Sequence, residues 1–388
     1  MRTPILDLKT QLNGIRGQID SAINEVLSST SFIMGPSVEI FEKAMARYLG
    51  VKHAISCASG SDALLLCNMA LKAGAGSEII TTPYTFFATA GSIARLGAVP
   101  VFVDIDMKTY NISVKELEAF LAKNVKRDRQ KNVAVNKKTG RTIKAIQPVH
   151  LYGQASDMDA IMQLASDYDI SVIEDAAQSI GSLYNGKYTG AMGLAGCFSF
   201  YPTKNLGAYG DGGAVATDND DFAILIKTLR AHGGKTKYYH QLVGINSRLD
   251  SLQAAVLNVK LPRLDEWIQK RIAAADIYDE LFKKLAIRKV TIPFRARNRN
   301  HTFHQYVIRT PKRNELREFL KQNEIGSEIY YPLCLHQQEC FAYLGYKNGD
   351  FPNAEKAANE TLALPIYPEI APEQQEYIAG KIGEFFKE

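Results

Sequence analysis

Paired cysteine spacing is missing from this chain. Cys57, Cys67, Cys197, Cys334 and Cys340 are an odd number spread over 388 residues, mostly in apolar stretches. That excludes a disulfide framework and points to reduced core thiols in a cytoplasmic protein. No uninterrupted apolar run is long enough to cross a bilayer, so no membrane partner is expected. The stretch from Met1 to Gly14 is too polar for a signal peptide. Strong charge bias is also lacking: 46 Lys and Arg stand against 41 Asp and Glu, a formal +5. The basic residues gather at Lys123 to Lys144 rather than along one periodic face, so nucleic acid is not an expected partner. The run Gly207-Ala-Tyr-Gly-Asp-Gly-Gly213 lacks the Gly-Lys-Ser/Thr spacing of a phosphate P-loop. His301 and His304 do not make a metal pair. Their alternating context reads as a strand, on which i and i+3 point to opposite faces, and no metal is expected.

Hydrophobic residues make up 46% of the chain and charged residues 22%, which predicts a sizeable packed core. The length allows two or three domains. From residue 52 to about 232, short apolar strands alternate with helical patterns. The strands are expected at His53–Cys57, Glu78–Thr82, Pro100–Val103, Ala145–Val149, Ser171–Glu174, Cys197–Phe200 and Gly213–Thr217. Helices are expected at Asp62–Leu71, Ala88–Leu96, Val114–Ala122 and Asp157–Tyr168. This alternation predicts an α/β fold, a mostly parallel seven-stranded sheet covered on both faces. Right-handed crossovers would gather the loops at the carboxyl ends of the strands on one edge.

Residues 247–285 are helical almost throughout, with Pro262 dividing the run. The expected organisation is a large α/β domain over 1–250, a connecting helical region over 251–285 and a small C-terminal α+β domain over 286–388. Helices are expected in the last part at Arg313–Asn323, Asn353–Leu362 and Pro372–Phe386. The polar, lysine-rich stretch 124–142 reads as a surface hairpin outside the catalytic core. Its strands would be Asn132–Val135 and Arg141–Ile146, with the turn at Asn136–Gly140.

The chemistry centres on Lys204. It follows the apolar strand that ends in Phe198-Ser199-Phe200-Tyr201-Pro202-Thr203, and a Gly-rich loop comes after it. Another apolar strand ends in Glu174-Asp175-Ala176-Ala177-Gln178. A lysine beyond one strand and an acid at the end of another suit pyridoxal 5′-phosphate (PLP), whose aldehyde a lysine holds and whose ring nitrogen a carboxylate pairs. A buried lysine becomes a useful nucleophile because its surroundings lower its pKa. Ser59-Gly60-Ser61-Asp62 opens a helix, and helix N-termini bind phosphate. Gly60 permits close approach and Ser199 can add a hydroxyl. Gln178 can reach the ring hydroxyl. Phe86 and Phe87 are equal candidates to stack on the ring, the other being core.

With these residues in view, the chain resembles the DegT/StrS-type nucleotide-sugar aminotransferases, PLP enzymes of fold type I, over nearly its whole length. The markers are Phe32-Ile-Met-Gly-Pro36, Ser59-Gly-Ser-Asp-Ala-Leu64, Pro148-Val-His-Leu-Tyr-Gly153, Glu174-Asp-Ala-Ala-Gln178, Ser199-Phe-Tyr-Pro-Thr-Lys-Asn-Leu-Gly207, Gly210-Asp-Gly-Gly213 and Gly244-Ile-Asn-Ser-Arg-Leu-Asp250. The resemblance implies that Lys204 carries PLP and shuttles the proton. Asp175 would bind the ring nitrogen, Gln178 the ring hydroxyl, and Phe86 would stack. Gly60, Ser61 and Ser199 would hold the phosphate, with Asn246 reaching it from the neighbouring subunit of a homodimer with shared active sites. Arg248, Tyr331 and His336 are the expected substrate contacts. The implied reaction moves an amino group from an amino acid, L-glutamate, to a nucleotide-linked keto-sugar. A small Ser247 and the acid Asp250 lean toward the C3 ketone rather than C4. Relatives with histidine in place of the lysine are dehydratases, and Lys204 argues against that outcome. A non-catalytic regulator would require a lost lysine or an added recognition domain.

Overall fold

The computed structural model describes residues 1–128, 133–236 and 238–387. The main sheet takes its first strands from β1 (His53–Cys57), β2 (Ser77–Thr81) and β3 (Val99–Phe102), then, after β4 (Val125–Asp128) and β5 (Val133–Asn136), from β6 (Thr142–Ile146) and β7 (Ser171–Asp175). A small ribbon of β8 (Leu183–Tyr184) and β9 (Lys187–Tyr188) precedes β10 (Ala195–Ser199) and β11 (Gly213–Thr217). The order is β1-β11-β10-β7-β6-β2-β3. Only β11 runs against its neighbours; the β10–β7, β7–β6, β6–β2 and β2–β3 pairs are parallel. The carboxyl ends of β1, β2, β7 and β10 therefore open on one edge, where an open α/β sheet binds ligands. Helices cover both faces, so β2 and β11 are buried along their entire length, and their apolar composition follows from that.

The expected hairpin forms between β5 and β6, but it is part of the main sheet rather than a separate surface excursion. β5 pairs antiparallel with β6 as well as with β4, so the segment widens the main sheet to nine strands. The turn forms as expected: Gly140 donates to the Asn136 carbonyl at 2.9 Å and has φ +71°. The segment also serves the core. Buried Glu78 accepts from Asn136 Nδ2 at 2.8 Å and from Thr139 Oγ1 at 2.7 Å. Arg141 of the same segment adds an ion pair at 3.6 Å, so the hairpin supplies the partners that a buried carboxylate needs. The expected strand start at Asn132 lies outside the described residues.

The helical run 247–285 resolves into Ser251–Lys260, a 3₁₀ turn at Leu261–Arg263 and Leu264–Lys284. Pro262 sits in the first turn of the 3₁₀ segment, where its missing N–H costs nothing. After the short ribbon β12 (Gly234–Thr236) and β13 (Tyr239–His240), the C-terminal part builds on the antiparallel pair β14 (Tyr306–Arg309) and β15 (Thr361–Leu364). Its helices Arg313–Gln322, Pro352–Glu360 and Pro372–Lys387 match the sequence pattern. Tyr278, Phe282, Tyr306, Leu316 and Ile378 fill the core beneath them. A second cluster joins Tyr84 and Phe102 of the sheet region to Phe341, Phe351 and Ala357, so the two parts share packed apolar surface. Each buried aromatic there contributes roughly 1.5–3 kcal/mol. His301 and His304 precede β14 rather than alternate along it, and both are buried.

Candidate active site

Asp175 ends β7 and is only 4% exposed. Its Oδ2 accepts from Thr89 Oγ1 at 2.8 Å and its Oδ1 from the Ala177 N–H at 3.2 Å. Burial pushes its pKa up, while those two bonds and the charge of Lys204 oppose the rise. A cationic partner would hold it ionised.

Lys204 stands in the loop after β10, with its backbone N–H bonded to the Tyr201 carbonyl at 2.8 Å. Burial brings its amine down to about 8, against the pull of Asp175. The loop is held at several points. Ala208 donates to the Phe200 carbonyl at 2.8 Å, Asn205 Nδ2 reaches the Thr302 carbonyl at 3.3 Å, and buried Lys260 Nζ donates to the Gly207 carbonyl at 2.7 Å. A lysine with a depressed pKa on a fixed loop is the form in which the amine is nucleophilic near neutral pH.

The helix Gly60–Ala70 begins where β1 opens on the same edge. Ser59 Oγ caps it by accepting from the Asp62 N–H at 3.1 Å, which leaves Ser61 and Ser199 as the available hydroxyls. A Cβ on Gly60 would lie 2.6 Å from Ser199 Cβ, so the close approach of this helix start to the end of β10 demands glycine. The free N–H groups of the first turn and two serines form an anion cradle.

The structure separates the two phenylalanines. Phe86 lines the cavity, with its ring 5.9 Å from that of Tyr331. Phe87 packs on Phe341 at 5.6 Å and against Gly91, away from the cavity. Gln178 is pinned at both ends of its amide: Oε1 accepts from the Tyr152 N–H at 2.8 Å and Nε2 donates to Tyr331 Oη at 2.8 Å. Tyr331 lines the cavity too, and burial raises its phenol pKa.

Gly60, Ser61, Phe86, Asp175, Gln178, Ser199, Lys204 and Tyr331 thus surround one cavity of about 530 Å³. Three other residues are not brought into it. Asn246 is exposed and Arg248 partly so, on a segment outside the cavity of their own chain. His336, expected at the substrate, is buried elsewhere: its Nε2 meets Glu355 at 3.0 Å and its ring packs on Phe351 at 4.8 Å. Several lining residues carry no local signal in the sequence. Thr89, Tyr201, Arg271, His304 and Gln305 come from four separate segments. Arg271 Nη1 donates to the carbonyls of Phe303 and Ile366 at 3.1 and 2.9 Å, and burial lowers its pKa to about 10. His304 is driven well below the ordinary histidine range by burial and the nearby cations Lys204 and Arg271, so it is neutral. Among the described residues, no group of three or more His, Cys, Asp and Glu side chains is placed to hold a metal ion, and no helix is long and apolar enough to cross a membrane.

The residues fit PLP. A buried carboxylate faces the place of a ring nitrogen, an amine with a lowered pKa that of an aldehyde, a glycine-dependent helix start that of a phosphate, and an exposed phenyl ring that of a flat face. The cavity is that of a PLP-dependent enzyme. The particular kind follows from known proteins. Residues 13–383 match the model of the DegT/DnrJ/EryC1/StrS aminotransferase family, and the chain belongs to that family. It is an aminotransferase of fold type I that depends on PLP. It is similar to a protein of Geobacillus stearothermophilus described as a pleiotropic regulatory protein, with 49% identity over 100% of this chain and 99% of the relative. It is also similar to a UDP-2-acetamido-2-deoxy-3-oxo-D-glucuronate aminotransferase of Pseudomonas aeruginosa, with 41% identity over 94% of each chain. Among solved structures, that of DesV from S. venezuelae in complex with a ketimine intermediate superposes with a TM-score of 0.91. It shares 35% identity and covers 100% of this chain and 99% of that one.

Proposed function

We propose that this enzyme transfers an amino group from L-glutamate to the C3 ketone of a nucleotide-linked sugar in the cytoplasm. The observation that carries the reading is Lys204 and Asp175 facing one cavity, one amine with a pKa near 8 and one buried carboxylate. The sugar substrate is supported by relatives such as the Pseudomonas enzyme, whose name specifies a 3-oxo sugar nucleotide. The five cysteines are unbridged, which supports the cytoplasmic placement.

A bound PLP would supply an electrophilic aldehyde for the donor's amine and a ring able to take the electron pair released at the donor's α-carbon. Asp175 would keep the ring nitrogen protonated, and Thr89 holds that carboxylate in place. Lys204 would take the α-proton of the donor and hold it for return to the cofactor, and with the sugar ketone the same amine would move a proton in the opposite sense. Ser61, Ser199 and the helix start anchor the phosphate, and Phe86 covers the ring face. Gln178, held by Tyr152 and Tyr331, would contact the ring hydroxyl. The two half-reactions give ping-pong kinetics.

The reading includes a homodimer with shared sites. Asn246 and Arg248 stand outside their own cavity. The same segment adjoins an exposed apolar patch: Ile33 bridges to Asp250, and Phe32, Ile33 and Met34 are 43%, 50% and 45% exposed. Patches of that kind mark interfaces. Ser247 lends no support to C3 chemistry. It is fully buried, donating to Asp62 Oδ2 at 2.7 Å and accepting from the Ala58 N–H at 3.1 Å, so its size does not meet a sugar.

The test offers matched 3-keto and 4-keto nucleotide sugars with ¹⁵N-labelled L-glutamate and locates the nitrogen by NMR. Label at C3 is the expected result. Label only at C4 overturns the regiochemistry, and no label in either sugar overturns the substrate class.

A further inference from the structure

A second cavity, of about 460 Å³, lies in the C-terminal part and does not share a lining residue with the catalytic one. Its walls come from four segments. Arg288 and Lys289 follow the long helix, Arg309 and Lys312 flank the end of β14, Lys356 and Glu360 lie on the helix Pro352–Glu360, and Phe386 comes from the last helix. Five cations therefore share a cleft with one carboxylate. That carboxylate is already committed: Glu360 pairs with Arg309 Nη1 at 2.9 Å. Among the described residues, no carboxylate lies within ion-pair distance of Arg288, Lys289, Lys312 or Lys356. Arg309 Nε is buried without a hydrogen-bond partner.

Like charges on long side chains normally spread into solvent or alternate with acids, because their mutual repulsion is unrelieved. Here the backbone holds their stems together. Thr291 and Arg309 exchange both of their main-chain hydrogen bonds, at 2.8 and 2.9 Å, and Thr310 N–H donates to the Glu360 carbonyl at 2.9 Å. The loop carrying Arg288 and Lys289, the end of β14 and the helix bearing Lys356 are thus fixed to one another. From this fixed backbone Arg288, Lys289, Lys312 and Lys356 extend exposed around one concave cleft, which focuses positive potential and suits an anion carrying more than one charge.

We propose that this cleft is a binding site for a diphosphate group, separate from the catalytic cavity. Arg288 can grip phosphate oxygens in a fork, and the three lysines supply point charges around it, while Arg309 is held by Glu360. The ring of Phe386 gives one wall an apolar surface on which a nucleoside can rest. Inorganic diphosphate and a nucleoside diphosphate share this chemistry. Neither Lys289 nor Lys356 touches the catalytic residues, so both can be changed without disturbing them.

The test is isothermal titration of the PLP-loaded enzyme with inorganic diphosphate and, in a second arm, with uridine diphosphate. Each is repeated with the Lys289→Glu/Lys356→Glu variant. Both side chains are exposed, and an unchanged Tm and visible spectrum confirm that the variant is intact. The expected result is binding of inorganic diphosphate that weakens with added salt and at least tenfold in the variant. A variant-sensitive second equivalent of uridine diphosphate would make the nucleotide the natural source; sensitivity to inorganic diphosphate alone would make the free anion the source. Equal affinity in wild type and variant, or no binding of inorganic diphosphate to wild type at millimolar concentration, overturns the proposal.

Discussion

Thr89 donates its hydroxyl to Asp175 at 2.8 Å, and both side chains are buried. The threonine comes from the helix Ala88–Ala94 that follows β2, the acid from the end of β7. The bond favours the ionised acid against the burial that disfavours it. Replacing Thr89 by Val removes a hydrogen bond to a charged group, worth about 1.5–3 kcal/mol. The expected effect is a fall in kcat/KM of about 10- to 100-fold. Because the lost bond favoured the charged form, the acid limb of the pH profile moves to higher pH. Steady-state kinetics across pH check this; an unmoved acid limb would separate Thr89 from the Asp175 charge.

The pH dependence of cofactor uptake follows from Lys204. Its folded pKa is lowered to about 8, so the neutral amine grows as pH rises through that value. The neutral fraction goes from about one-tenth at pH 7 to about nine-tenths at pH 9. Stopped-flow uptake of PLP by the stripped enzyme should rise about tenfold over that range and level off above it. A rate still climbing steadily beyond pH 9 would place the amine in the ordinary lysine range.

Gly60→Ala tests the packing at the helix start. The added methyl would meet Ser199 Cβ at 2.6 Å and force the helix away from β10. The predicted outcome is a folded protein that binds PLP at least tenfold more weakly, read by equilibrium dialysis, since the phosphate cradle widens. Ser199→Gly in the same chain should recover part of the affinity by making room. Unchanged retention in Gly60→Ala would mean the cofactor's phosphate lies elsewhere.

Much of this site was legible because its chemistry is local. Asp175, Gly60 and Ser199 each sit at a strand end or helix start, which hydrophobic spacing locates, and Lys204 lies in the loop just beyond one of those ends. Thr89, Arg271, His304 and Gln305 were not legible. They reach the cavity from separate segments, and no spacing in one sequence reports contacts across a fold. His336 illustrates the opposite error. A polar residue near Tyr331 in sequence turns inward at a 3₁₀ turn, where Glu355 pairs with its Nε2. Strand β4 escaped detection because Val125-Lys-Arg-Asp128 alternates poorly and follows directly on a helix. The role of Asn136 and Thr139 was hidden for a related reason: Glu78, which needs them, is 61 or fewer residues away in sequence but adjacent in the sheet.

Shared active sites predict complementation. Lys204→Ala and Asn246→Ala chains, each inactive alone, should regain activity when mixed under subunit exchange. With random pairing, half the dimers are mixed and each has one intact site, giving about a quarter of wild-type activity. No recovery in a preparation shown by native mass spectrometry to contain mixed dimers would confine the site to one chain.

The central claim is that Lys204, opposite Asp175, is the residue that carries the cofactor. Borohydride reduction of the PLP-loaded enzyme followed by peptide mapping tests it directly. The account predicts loss of visible absorbance and a single phosphopyridoxyl adduct on Lys204, absent from the Lys204→Ala variant. An adduct on another lysine, Lys260 included, would contradict it.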